Sequence, residues 1–291
     1  MATNSPIANL PRPELTDTPN APAAFLSLTN ALDSLVIPRF SSASARDLAI
    51  PAPVDGQHAF LTDSHALFVF KADLGQWTPY SYARAPQTSL FSADGTWLKP
   101  AGARSVWVRV QGSGGGGGGA VGGGGNAVGG SGGAGGYAES WYDAAALPPT
   151  VIITVGNAGT GTVGGSGGTG GQATFGGLIT CAGGGGGGLG PNTAVDQTAS
   201  AGSGGTATGG NIINVQGENG MVGQVIGGKS TFYARGGGSP FGSGGAAAVS
   251  NSVNGDPASG AGAGGGNAMA GGTSRAGGAG SKGVVIVTTF F

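Results

Sequence analysis

The residues 223 to 230, GQVIGGKS, carry the one stretch of this chain whose types and spacing match a catalytic loop letter for letter. Gly223, Gly228, Lys229 and Ser230 reproduce the phosphate-binding pattern G-x-x-x-x-G-K-S, in which backbone amides cradle phosphates and the lysine neutralises them. That chemistry requires a buried strand before the loop and a helix opening from it. The residues that follow, TFYARGGGSPFG, cannot make that helix. Gly129 to Gly133 likewise spell G-x-S-x-G, but a serine nucleophile needs a histidine base. The two histidines, His58 and His65, sit seven residues apart around a turn in another part of the chain, with Asp63 between them. They read as two apposed surface histidines on a hairpin rather than as metal ligands. Glu139, Asp143, Asp196, Glu218 and Asp256 are isolated, without the paired carboxylates of a glycosidase. The single cysteine, Cys181, allows no internal disulfide and no cysteine metal site, and reads as a small buried apolar residue. The chain is expected to be no enzyme and to hold no cofactor and no metal.

Binding is left to side chains with large apolar faces. Two groups interrupt the glycine: Tyr137, Trp141 and Tyr142, and then Phe232, Tyr233, Arg235 and Phe241. Aromatic rings stack on sugars and anchor interfaces, so these seven are the candidate binding contacts, with filling of a core as their alternative role. The polar loops PNTAVDQTAS (191–200) and SNSVNGDPAS (250–259) are the solvent-exposed alternatives.

The elements that must position these residues are unusual. Of 67 glycines, four (Gly56, Gly75, Gly95, Gly102) precede residue 112, leaving 67 − 4 = 63 beyond it; ordinary usage is about 7 %. Only 9 % of residues are charged and the net charge is −1. Such a balance excludes the basic patches of nucleic-acid or anionic-membrane binding, and it lacks the high net charge typical of disorder. No apolar run is long enough for a membrane span, and the N-terminus shows no signal peptide, so assembly in the cytoplasm is expected.

Along the chain, residues 1–37 read as a proline-rich arm followed by a helix. Phe25, Leu28, Leu32 and Leu35 share one face of it, Asn20 is its N-cap and Pro38 its stop. Its stripe packs either on the next module or on copies of itself. Residues 38–86 read as a small β-meander with strands His58–Leu61, Ala66–Phe70 and Gln76–Tyr80. Residues 81–95 read as a linker. From 87 to 291 the chain reads as a glycine-rich β-sandwich. Val106, Val108 and Val110 alternate with Trp107, Arg109 and Gln111 as a half-buried strand, and GVVIVTTFF (283–291) is the strongest strand.

Between the strands, GGSGGAGGY (129–137) and GGSGGTGGQ (164–172) repeat every three residues. Three per turn is the period of the polyproline-II helix, which has no internal hydrogen bonds. Its amides and carbonyls must find partners, and side-chain-free helices can approach closely enough to satisfy one another. The expected fold is therefore mainly β. It is a jelly-roll-like sandwich carrying polyglycine-II helical insertions, preceded by a short α-helix and a small β-meander. The third position of each repeat is expected to decorate the exterior.

The order of blocks PAGARSVWVRVQGSGGGGGG, GGAGGYAES, VIITVGNAGTG, GGTGGQATFGGLITCAGGGGGG and GGAGSKGVVIVTTFF resembles the glycine-rich domain of tailed-bacteriophage tail-tip and tail-fibre proteins over about residues 97 to 291. The N-terminal piece resembles the opening of siphophage tail proteins. The resemblance implies a virion protein attached through its N-terminal region to other tail proteins, often as a homotrimer. It further implies a receptor-binding adhesin that meets a host-surface polysaccharide or protein. A purely structural virion protein and a host cell-wall glycine-rich protein are the alternatives.

Overall fold

The computed structural model describes residues 3–4, 11–12, 23, 25–26, 28, 37–80, 85–232, 234–250 and 252–291. Two compact units divide the chain, Met1–Arg84 and Ala85–Phe291.

In the first unit, β1 (Thr3–Asn4) pairs antiparallel with β2 (Pro11–Arg12). Ala23, Phe25, Leu26 and Leu28 are helical, whereas Leu32 and Leu35 of the expected apolar face lie outside the described residues. A four-stranded sheet follows in the order β3 (Arg39–Phe40), β4 (His58–Leu61), β5 (Ala66–Lys71), β6 (Gln76–Pro79). The meander β4–β5–β6 is as read from the turns. The parallel edge strand β3 and the helix α1 (Ala43–Ala49) are additions. Ser42 caps α1 by accepting a hydrogen bond from the Ala45 amide at 3.2 Å. Arg46 of this helix is buried, its guanidinium 4.6 Å from the Trp77 ring centre; aromatic faces tolerate such a cation because their quadrupole attracts it.

The second unit opens with β7 (Gln87–Phe91), inside the stretch read as a linker. QTSLF lacks alternation, and it is recruited because the C-terminal strand needs an edge partner. Then follow β8 (Gly95–Leu98), β9 (Ser105–Gln111), β10 (Ala127–Val128), β11 (Tyr137–Asp143), β12 (Thr150–Val155), β13 (Ala173–Phe175) and β14 (Ile179–Cys181). The remaining strands are β15 (Gln197–Ala199), β16 (Ala207–Thr208), β17 (Ile213–Val215), β18 (Gly223–Ile226), β19 (Lys229–Phe232), β20 (Met269–Ala270) and β21 (Val284–Phe290). Two five-stranded sheets, β17-β11-β9-β21-β7 and β16-β14-β13-β12-β8, form the sandwich. Val106, Val108, Val110, Val285 and Val287 of one sheet close on Trp97, Val151, Ile153, Phe175 and Ile179 of the other. In β9, β12, β13 and β14 every second residue is apolar and buried, so one face of each sheet can leave water.

Glycine fills the space beyond the sandwich. Twelve extended tracts run side by side: 112–121, 129–136, 156–163, 164–172, 182–190, 199–206, 216–222, 234–238, 243–247, 253–258, 260–268 and 275–283. Tract 112–121 shows the rule. Gly112, Gly115 and Gly118 donate to Gly136, Gly133 and Gly130; Ser113, Gly116 and Gly119 donate to Gly171, Gly168 and Gly165; Gly114 and Gly117 donate to Ser281 and Gly278, all at 2.7–3.0 Å. Its carbonyls accept from Gly184, Gly187 and Gly190, from Gly265 and Ala268, and from Gly159. A three-fold helix turns successive amides by about 120°, so every third residue serves the same neighbour. Six neighbours result, alternately taking and giving hydrogen bonds. Tract 129–136 donates to 260–268, 182–190 and 216–222, and accepts from 112–121, 199–206 and 234–238. Tract 260–268 donates to 234–238, 112–121 and 253–258, and accepts from 129–136, 243–247 and 275–283. These three tracts are enclosed; the other nine surround them in a hexagonal array.

That array explains the glycine. A Cβ at Gly117 would lie 1.9 Å from the Gly266 carbonyl oxygen, and one at Gly116 would lie 2.2 Å from that of Thr160. Neither distance admits an atom. It also corrects one expectation. In repeat 164–172 the third residues Ser166, Thr169 and Gln172 are exposed, but in 129–137 Ser131, Ala134 and Tyr137 are buried. The second repeat lies on the rim and the first in the middle. Ser131 fits there because its hydroxyl accepts from the Met221 amide at 2.7 Å and donates to the Arg235 carbonyl.

Candidate functional site

Topology gives the array two unlike ends. Strands β9, β12, β14 and β17 each run out into a tract, and tracts ending at 136, 172, 206 and 283 each run back into β11, β13, β16 and β21. The sandwich therefore occupies one end. The connections 122–128, 163–166, 190–198, 223–232, 248–252 and 269–274 lie at the other. They touch one another there. Asn126 Nδ2 donates to the Gly228 carbonyl, and Asp196 Oδ1 accepts from the Gly227 amide at 2.6 Å. Ser274 Oγ accepts from the Gly122 amide at 3.0 Å. Strand β10 pairs with β20, and Val253 bridges to Met269. The six connections form one continuous tip, and Val163, Val195, Ile226 and Val249 stand exposed on it.

The seven predicted contacts do not meet at that tip. Tyr137, Trp141 and Tyr142 lie on β11 at the sandwich end. Tyr137 is buried, packs edge-on against Phe241 at 5.8 Å and donates its hydroxyl to Glu139. Burial first, and the Glu139 hydrogen bond second, push its phenol well above the ordinary tyrosine range. Tyr142 stacks on the core residue Phe175 at 6.3 Å. Both rings fill the fold, the alternative role held open for them. Trp141 is 45 % exposed and lies 5.0 Å from the Phe290 ring on the outer face of the sheet. Across from it, Trp107 donates its indole N–H to Glu139 at 3.1 Å and carries the Arg109 guanidinium 4.4 Å above its ring. Phe241 sits in the turn 239–242, next to Tyr137. Arg235 is exposed on the flank of the array, where it lines a hollow of about 270 Å³ with Glu218, Met221 and Ser243. Phe232 ends β19, at the tip; Tyr233 lies outside the described residues. The loop 191–200 and the start of 250–259, the polar alternatives, belong to the tip.

The motif GQVIGGKS forms the β18–β19 hairpin, turning at Gly227 and Gly228, whose φ of 58° and 70° only glycine adopts readily. Lys229 begins a strand, so no helix N-terminus faces a phosphate. His58 stands at the start of β4 and His65 (φ 49°) in the turn at its far end, so the two are not apposed. Cys181 is buried, donates to the Val110 carbonyl at 3.3 Å, and has its thiol pushed up to about 12 by burial. Among the described residues no group of three His, Cys, Asp or Glu side chains is placed to hold a metal, and no helix is long and apolar enough to cross a membrane.

The inter-strand connections of the sandwich are thus drawn out into a hydrogen-bonded glycine array that ends in a cluster of short loops. The chain belongs to the glycine-rich domain family, whose model matches residues 89–290. No curated protein matches it.

Proposed function

We propose that this chain is a bacteriophage tail-tip or tail-fibre protein, and that its glycine-rich domain is a receptor-binding adhesin. Residues 1 to about 86 attach it to other tail proteins, as a homotrimer, and the tip meets a host-surface polysaccharide or protein. One observation carries the reading: six connections, the first and last joined by a contact across 152 residues of sequence, converge on one surface, at the end of the array opposite the sandwich. A binding face built this way is held by backbone hydrogen bonds beneath it, so its contacts are pre-organised and lose little entropy on engagement. Val195 and Val249, 69 % and 71 % exposed, supply apolar contact area, and several copies on one particle add avidity. The order of the sequence blocks supports the phage assignment.

The test uses the purified full chain on cells of a candidate host. Saturable binding that blocks phage adsorption is expected, with loss of both in Val195→Asp/Val249→Asp. A chain that neither binds cells nor blocks adsorption, yet is present in purified virions, has a structural role instead.

A further inference from the structure

The glycine array has an unfilled place. Tract 182–190 is flanked in a straight row by 164–172 on one side and 199–206 on the other, and rests on 112–121 and 129–136. Four of its six neighbouring positions are taken; two face solvent. Its buried residues are Gly184, Gly187 and Gly190, and the residues between are half-buried. The Gly183 and Gly186 amides, and the carbonyls of Gly183, Gly186 and Leu189, have no partner among the described residues. Neither have the amides of Ser200, Ser203 and Thr206 on the adjoining tract. Equivalent groups recur every third residue, about 9.3 Å apart in a helix rising about 3.1 Å per residue.

Other rim tracts close this edge with side chains. Asn157, Thr160, Ser166, Thr169, Gln172, Ser200, Ser203, Thr206, Gln216 and Asn219 all stand exposed at outward positions; tract 182–190 alone of this row has Gly183 and Gly186 there. The result is a groove with a bare backbone floor and a row of polar side chains along each wall. Ser203 Oγ lies 2.9 Å from where a Gly185 Cβ would stand, and Ser200 Oγ lies 2.4 Å from that of Gly188. Exposed β-edges recruit added strands through their unpaired amides and carbonyls. The open edge of a polyglycine array presents the same kind of template with a period of three.

We propose that this groove binds one extended, glycine-rich segment of a partner protein as a further polyglycine-II helix. The segment accepts from the Ser200, Ser203 and Thr206 amides and donates to the Gly183, Gly186 and Leu189 carbonyls. Continuity with the array selects this occupant. The donors and acceptors stand at the spacing the twelve tracts use among themselves, and the bare floor excludes any segment with a side chain pointing inward. The segment fills the open position shared by tracts 182–190 and 199–206, where the unpartnered carbonyls of one and the unpartnered amides of the other converge. The flat face of a second copy would drive its own neighbouring tracts into Ser166, Thr169 and Gln172.

The experiment is a titration of the ¹⁵N-labelled full chain with the synthetic peptide acetyl-GGSGGAGGSGGA-amide. Saturable shifts of the Ser200, Ser203 and Thr206 amides are expected, with slower hydrogen exchange at the same three amides. Ser203→Arg and Thr206→Arg, each with an otherwise unchanged spectrum, lose the saturable shifts; Thr160→Arg, on another rim tract, keeps them. Absence of saturable shifts in the parent chain overturns the proposal. So do shifts confined elsewhere, or unchanged binding in both groove variants.

Discussion

Gly117→Ala is the sharpest probe of the array, because it adds one methyl and removes no hydrogen-bonding group. The new carbon would stand 1.9 Å from the Gly266 oxygen, where ordinary contact begins at 3.4 Å, so the two tracts must part by about 1.5 Å. That movement breaks bonds on both sides. Gly117 donates to Gly278 at 2.8 Å, Gly266 donates to Asp256 at 2.9 Å, and the Gly266 carbonyl accepts from Gly278 at 2.8 Å. Overpacking costs about 1–3 kcal/mol, and each buried group left unpaired costs about 1–3 kcal/mol more. A loss of about 2–9 kcal/mol follows from one overpacked site and one or two broken bonds. Gly272→Ala is the control, since nothing lies within 4 Å of its Cβ. There the smaller entropy of the unfolded alanine chain makes the change neutral or stabilising by about 0.4–1 kcal/mol. Urea midpoints by circular dichroism, with slopes compared to confirm a common transition, measure both. If Gly117→Ala unfolds within about 1 kcal/mol of Gly272→Ala, the close-packed array is refuted, because no route then exists for the methyl to be harmless.

Three further outcomes are expected. Ser131→Ala leaves the Met221 amide and the Arg235 carbonyl unpaired in the interior and destabilises the chain by about 1–3 kcal/mol; Ser166→Ala on the rim changes the urea midpoint little. Native-state proteolysis cuts at the tip connections, such as 191–196, before it cuts within 112–121 or 129–136, as mass mapping of early fragments checks; early cuts throughout the tracts contradict the fold. Cys181 holds its proton in the folded chain up to about pH 12, whereas an unfolded thiol loses it near about 8.5. The folded state thus binds more protons across that window, and stability falls as pH rises through it, by about 1 kcal/mol per pH unit. Urea midpoints at pH 8 and 10.5 read the slope, and Cys181→Ala flattens it.

The strands were legible where apolar residues alternate. Val106, Val108 and Val110 point inward as read, and the C-terminal segment became β21 between β9 and β7. The three-residue period likewise disclosed the helix type of the tracts. Gln111 departs from its alternation, being fully buried, because the strand already enters the array there and its side-chain amide donates to Gly135 at 2.8 Å. What sequence could not disclose was position within the array. Ser131 and Ser166 occupy identical repeats, yet one is enclosed and the other exposed. That difference is set by which tracts lie alongside, and glycine carries no side chain to record a neighbour. The tip was obscured for the same reason: VGGGGNAV and LGPNTAVD are adjacent in space through the Val121–Gly190 backbone bond and the Asn192 side chain lying against Gly123 and Gly125, contacts that leave no apolar pattern.

Hydrogen-bond geometry makes the array indifferent to what caps it. Each enclosed tract satisfies its amides through neighbours on all sides, so the order of the interior is fixed before any connection at the tip is specified. Asn126, Asp196 and Ser274 hold the connections to one another through side-chain bonds at the surface, and the sandwich core contains none of them. Substitution of the exposed tip residues 194–196 therefore leaves both the sandwich core and the small buried cluster of Val128, Val225, Ala248 and Met269 beneath the tip unchanged, while substitution of an enclosed glycine strikes a neighbouring backbone at once. Packing thus constrains the enclosed glycines and leaves the exposed tip residues free of close neighbours. On this argument, replacing residues 191–196 with a polar segment of equal length shifts the urea midpoint by less than about 1 kcal/mol, the ordinary range for surface changes, yet abolishes cell binding. A large loss of stability in that variant would show that the tip holds the array together, and would remove the physical reason for placing recognition there.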